Sequence, residues 1–424
     1  MYLNKIKSIG VCVCVVVVVV IVGLIGIAIW MKHNGGLSVV IPLINEHGVL
    51  KIQMAFHNYN GYNLTMTLDI QTHDNMIANT SFGNIPNILQ EDAYILQQDS
   101  FMIGHIFQPG VIQKDTIYIT TNAQQLLTFP NFQFYNLYLI QFNNISTLSF
   151  AHTHRKGHSD QSLPLTNFIQ RSIPHIAYIN NYTSTPSFGI GINNNNNNMQ
   201  LSLGIIPKTN MPYHAQCNVI DAQWACSNIS ISLLKSNNEI KYEGDYMFTK
   251  AVFQTNTDHI YVSGGFMDFL YLHIFGELID KEICVYVYGD SETQELTCGC
   301  SDLESFPNFV FNISGITFTF NGIDLFSKRG ALCYFVIKEK GSNNPDKEGI
   351  VIGSKFYEKY YTEFDYDNNK IHFSSKTAYT MYNDTNTTIT SIKFILIVII
   401  LILNISNLIY YFIFNKYNML NNSN

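Results

Sequence analysis

Between residues 45 and 375 apolar and polar side chains alternate with a period of two, and helical periodicity is rare. The alternation is clearest in VLKIQMAFH (49–57), NLTMTLDIQ (63–71), DTIYITT (115–121), FYNLYLIQF (134–142), MQLSLGIIP (199–207), NISISLLK (228–235), ICVYVYG (283–289) and GITFTFNG (315–322). Successive side chains of a strand point to opposite faces, so each segment can bury one face while the other stays polar. The β-branched and aromatic content suits a pleated surface. This region is therefore predicted to be mostly β. One helix-like patch, LTNFIQRSI (165–173), lies between Pro164 and Pro174. The run Asn193–Asn198 cannot contribute to a core and reads as a hairpin tip between two strands.

Two apolar runs flank the β region. Residues 9–30, IGVCVCVVVVVVIVGLIGIAIW, are longer than a signal-peptide core and lack an Ala-x-Ala-like cleavage site, so they read as a transmembrane signal anchor. Lys5 and Lys7 precede the run and Lys32 follows it, which places residues 1–8 in the cytosol. Residues 394–414, FILIVIILILNISNLIYYFIF, read as a second span, between Lys393 and Lys416, with 415–424 as a cytosolic tail. The region between would be a lumenal or extracellular ectodomain of an integral membrane protein in the secretory pathway, with 376–393 as a stalk. Glycans are then expected at the sequons Asn63, Asn79, Asn144, Asn181, Asn228, Asn312, Asn383 and Asn386. The six ectodomain cysteines, Cys217, Cys226, Cys284, Cys298, Cys300 and Cys333, form an even set that suits disulfides. Zinc is the rival reading, but Cys298-Gly-Cys300 is tighter than the usual Cys-x2-Cys knuckle. A net charge of −7 with 13% charged residues offers no basic face, so nucleic acid is excluded as a partner class.

One local pattern occurs twice: an apolar strand runs into Gln-Thr and a polar turn, in TLDIQTHDN (67–75) and in AVFQTNTD (251–258). Further on, CSDLESFPNFVFNISGITFTFNG (300–322) and IVIGSKFYEKYYTEFDYDNNKIHF (350–373) carry an ordered series of landmarks: a Cys, a Pro-Asn pair before an apolar strand, two apolar residues before Gly353, a short helix with Phe356 and Tyr361, and a closing hairpin. This series resembles the C-terminal part of pepsin-type aspartic proteases (peptidase A1). The resemblance implies a bilobal all-β fold, with an N-terminal lobe over 45–207 and a C-terminal lobe over 208–375. It also implies a disulfide between Cys300 and Cys333.

In that family each lobe supplies one Asp-Thr-Gly turn to the floor of a cleft. The resemblance sets the two turns at Gln71-Thr72-His73 and Gln254-Thr255-Asn256, so that Gln stands at both acid positions. Thr147-Leu148-Ser149 stands where an apolar-apolar-Gly segment is usual, and the flap within 94–107 lacks the usual Tyr and Gly pair. Hydrolysis by such a site needs two carboxyls sharing one proton, one as base towards a water and the other as acid. A side-chain amide does neither. The implied protein is a membrane-anchored pseudoprotease without cofactor or metal, holding a peptide or protein ligand in the inter-lobe cleft. The alternative is an active endopeptidase that uses Asp69, Asp74 or Asp258. The bland reading of Asp74 and Asp258 is as turn or capping residues. His152, His154 and His158 resemble a metal site, but with Arg155 and Lys156 among them a basic loop is the plainer reading. Trp224 reads as strand packing.

Overall fold

The strands follow the alternation. In a computed structural model, the described residues are 39–57, 63–71, 76–78, 94–103, 106–137, 147–150, 172–192, 198–204, 215–221, 223–234, 240–288, 294–339, 349–375 and positions 404 and 411. Every alternating segment named above contributes to a strand, from Val49–Phe56 and Asn63–Asp69 to Cys284–Tyr288 and Ile316–Phe320. The burial of Val49–Phe56 switches at nearly each residue, with Leu50, Ile52, Met54 and Phe56 inside.

Among the described residues the strands form four sheets. One eight-stranded sheet is drawn from residues 44–149; its strand Val49–Phe56 pairs with Asn63–Asp69 and also with Ile106–Thr120, which bends the sheet towards closure. Tyr94–Ile103 and Ile106–Thr120 form an antiparallel hairpin over the segment expected to be the flap. A seven-stranded and a four-stranded sheet are drawn from residues 225–352. The six-stranded sheet belongs to neither half: its order is Val39–Pro42, Met199–Leu203, Phe188–Ile192, Tyr360–Asp365, Lys370–Ser375 and Ala215–Asn218. Strands expected in the C-terminal lobe thus pair with strands expected in the N-terminal one, through Phe188 opposite Phe364 and Ile190 opposite Thr362.

Aromatic side chains from both halves meet at this shared sheet. Phe188 stacks on Phe364 with ring centroids 4.6 Å apart. Trp224, fully buried, meets Phe364 edge-on at 5.1 Å and Tyr366 at 4.9 Å. Its indole Nε1 donates to the Phe150 carbonyl at 2.8 Å, which satisfies the polar end of a ring that is otherwise apolar. Tyr366 donates its hydroxyl to the same carbonyl at 2.9 Å.

Two helical features depart from the sequence reading. A helix runs over Ile173–Ile179, beginning where the expected patch ends; residues 165–171 lie outside the described residues. Pro174 occupies its first turn, where a missing N–H leaves nothing unsatisfied, so that proline opens a helix rather than closing one. A longer stretch, Gly264–Leu270, Tyr271–Phe275 and Gly276–Asp280, was not foreseen. Three disulfides join Cys217 to Cys226, Cys284 to Cys298 and Cys300 to Cys333. Among the described residues no helix is long and apolar enough to cross a membrane. The apolar runs 9–30 and 394–414 lie outside the described residues save positions 404 and 411.

Candidate active site

Each half contains a short parallel ladder that ends at one of the two repeated turns. In the first half Thr67, Leu68 and Asp69 lie opposite Thr147, Leu148 and Ser149. In the second, Ala251, Val252 and Phe253 lie opposite Ile350, Val351 and Ile352. The Gln254 amide donates to the Ile352 carbonyl at 2.8 Å, and the Asp69 carbonyl accepts from the Phe150 amide at 2.9 Å. If Ser149 and Gly353, the residues that end the two inner segments, are set as equivalents, Leu148 matches Ile352 and Leu68 matches Phe253. Asp69 is then the counterpart of Gln254, Ile70 of Thr255 and Gln71 of Asn256. The sequence pattern pairs Gln71 with Gln254; the ladder register pairs Asp69 with it, two residues earlier. With Ser149 and Gly353 as equivalents, the repeated Gln-Thr letters fall out of phase with the strand pairing.

Side-chain bonds across the junction agree with that register. Thr255, fully buried, donates from Oγ1 to the Leu68 carbonyl at 2.5 Å. Gln71 donates from Nε2 to the Phe253 carbonyl at 2.6 Å and lies 3.3 Å from the Trp224 carbonyl. The two main acceptors, Leu68 and Phe253, are themselves counterparts. Asp69 is buried, and its Oδ1 accepts from the Gln71 amide at 2.8 Å.

Asp258 is engaged elsewhere. Asp258 lies against the hairpin tip at Gly48, where a Cβ on the glycine would fall 2.0 Å from the Asp258 Cβ. Gly48 also has φ +83°, so both space and conformation call for glycine. Asp258 Oδ1 is 3.0 Å from His259 Nδ1. Burial alone would raise the Asp258 carboxyl, but the hydrogen bond and charge of His259 and the charge of Arg329 outweigh it and hold the group below its ordinary value. The same hairpin tip is held by Ser354, which donates to the Gly48 carbonyl at 2.6 Å, and by the Leu50 amide, which donates to the Thr255 carbonyl at 2.9 Å. Gly353 permits this packing, because a Cβ there would meet the Thr257 and His259 carbonyls at 2.5 Å.

Asn256 is exposed, and Thr72, His73 and Asp74 lie outside the described residues, as do His152, His154 and His158. Among the described residues no group of three or more His, Cys, Asp or Glu is arranged to hold a metal. Of the sequon asparagines, Asn63, Asn181 and Asn228 are exposed and Asn312 is half-buried; Asn79, Asn144, Asn383 and Asn386 lie outside the described residues. The reach of Gln71 into the opposite half could not be read from the sequence, because it depends on a contact between residues 182 positions apart.

With this geometry the chain can be set beside known proteins. A family model described as eukaryotic aspartyl protease matches residues 110–376, more than half of the chain. Renin-2 of Mus musculus is 29% identical over 89 residues, which are 20% of this chain and 22% of renin-2, so the match spans about a fifth of that relative's length. Among solved structures, an aspartic proteinase from Irpex lacteus superposes with a TM-score of 0.55 at 12% identity, over 80% of this chain and 97% of its own. Basic 7S globulin from soybean gives 0.55 at 14% identity, over 80% and 96%. At those identities the superpositions speak for the fold. The chain belongs to the eukaryotic aspartyl protease family and has its mostly-β pepsin-like fold.

Proposed function

We propose that this chain is a membrane-anchored member of the family that has lost peptide hydrolysis and binds an extended peptide or protein segment in the cleft between its halves. The observation that carries this reading is Gln254 at the position equivalent to Asp69. The acid pair is reduced to one carboxyl. A single carboxyl faced by an amide can hold a water but cannot divide the base and acid roles between two groups that share a proton. Loss of one such role alone lowers a rate by about 10²–10⁴. Ile70 and Gln71 at the positions of the Thr and Gly add to the departure, since both put side chains where the family pattern has a small hydroxyl or none. A cleft without turnover still presents backbone groups to which a strand can add.

The apolar runs at 9–30 and 394–414 support anchoring at both ends, and the exposed Asn63, Asn181 and Asn228 together with three disulfides support a lumenal or extracellular setting. The retained Asp69 favours the second reading, a weak endopeptidase working with one acid. The test is to incubate the full chain in detergent with a mixed peptide library from pH 3 to pH 7 and to analyse bound and free peptides by mass spectrometry. The proposal expects retained, intact peptides. Cleavage products that vanish on Asp69→Ala would instead establish the enzyme.

A further inference from the structure

We infer that Gln71 is a positioning residue: its side-chain amide closes the second half of a reciprocal clasp between the two halves, in place of a hydroxyl absent at Ile70. The ladder register makes Ile70 the counterpart of Thr255, and Leu68 the counterpart of Phe253. Thr255 donates to the Leu68 carbonyl. Under the internal two-fold relation, a hydroxyl at 70 would return that bond to the Phe253 carbonyl. Ile70 has no side-chain donor and is fully buried. The Phe253 carbonyl is nonetheless bonded, by Gln71 Nε2 at 2.6 Å.

The orientation of that amide is fixed by its partners. Both groups near Nε2, the Phe253 and Trp224 carbonyls, are acceptors, so only the NH2 end can face them. Meanwhile the Gln71 backbone amide donates to Asp69 Oδ1 at 2.8 Å. One residue thus fixes the carboxyl of its own half and grips the backbone just before Gln254 in the other. Trp224 is tied into the same clasp: its carbonyl accepts from the Phe253 amide at 2.9 Å, and its indole holds Phe150, whose amide bonds the Asp69 carbonyl at 2.9 Å. Gln71 is long enough to span from the position after Ile70 to an acceptor that a short side chain reaches only from 70 itself. The two departures, a hydrocarbon at 70 and an amide at 71, are on this account a compensating pair, independent of whether the cleft hydrolyses or only binds.

The test uses the full chain in detergent with three changes. Gln71→Met keeps length and removes the donor. Gln71→Glu keeps shape but presents a carboxylate to carbonyl oxygens. Ile70→Thr combined with Gln71→Met restores the hydroxyl at the symmetric position. Thermal midpoints and hydrogen exchange of peptides covering 64–71 and 248–256 are read together. Both single changes should lower the midpoint by about 2–4 °C and speed exchange in both turns by about five- to tenfold. The double variant should recover most of each loss, which a general packing role for Gln71 would not produce. Wild-type midpoints and exchange in Gln71→Met, or no recovery on adding Ile70→Thr, would overturn the inference. If Gln71→Met yields no folded protein, return of folded protein in the double variant supports the clasp, and its absence counts against it.

Discussion

Thr255 Oγ1 lies 2.5 Å from the Leu68 carbonyl, so the turn of one half is bonded to the strand of the other across 187 positions of chain. Both groups are inside the protein, and a carbonyl left there without its donor carries its full desolvation penalty. Thr255→Val, which keeps the branching and removes the hydroxyl, should destabilise the protein by about 1–3 kcal/mol. Thr255→Ser, which keeps the donor, should lose less. Urea unfolding of the two variants checks this.

Trp224 is completely buried among Phe188, Phe364 and Tyr366 and joins both halves of the shared sheet. Trp224→Ala removes a large ring and strands the Phe150 carbonyl of one of its donors. A loss of about 3–5 kcal/mol is expected. Near-ultraviolet circular dichroism should lose most of its tryptophan signal, because Trp30 is the one other tryptophan in the chain.

The disulfides should differ in what they contribute. The Cys300–Cys333 bond closes a sequence separation of 33, and Cys217–Cys226 one of 9. Loop-closure entropy grows with the logarithm of that separation, so removing the longer link should cost about 1 kcal/mol more than removing the shorter, out of about 2–5 kcal/mol for either. Paired Cys→Ser variants, compared by denaturant unfolding, measure the order.

Acidification should weaken the fold through His175. Burial lowers its imidazole from 6.5 to about 4, while its Nδ1 sits 2.9 Å from the Ser172 hydroxyl and its ring meets Tyr366 edge-on. The folded state therefore favours the neutral ring, and the unfolded chain takes up the proton first. Stability from this group is complete above about pH 6.5, declines as pH falls and levels off near pH 4. His175→Gln should flatten the thermal midpoint between pH 6.5 and pH 4 relative to the unaltered chain; an unchanged slope would remove His175 as its source.

The strands were legible because their alternation is a local property, and the closing hairpin around Tyr360–Asp365 and Lys370–Ser375 because its landmarks come in fixed order. The helix over 264–280 was not, since GGFMDFLYLHIFGELID is too apolar and too glycine-rich at its start to show a polar stripe. The site was legible in part. Gln254 could be placed from the C-terminal landmarks, whereas the first turn had only the letters Gln-Thr to fix its phase. Asp69 and Gln71 lie two apart in the sequence and so fall on the same phase of a period-two alternation, although the strand ends at Asp69; periodicity cannot choose between them. The choice came from the ladder partners Leu148 and Ile352 and from the acceptors Leu68 and Phe253, which are tertiary facts.

The central claim is that an amide, Gln254, stands at the position of the second half equivalent to Asp69 in the first. Its most direct test is peptide cleavage at acidic pH by three forms of the full chain: unaltered, Gln254→Asp, and Gln254→Asp with Asp69→Asn. The account predicts no cleavage by the unaltered chain, measurable cleavage once Gln254→Asp completes the pair, and its loss when Asp69→Asn is added. Cleavage by the unaltered chain, or cleavage by Gln254→Asp that survives Asp69→Asn, would contradict it.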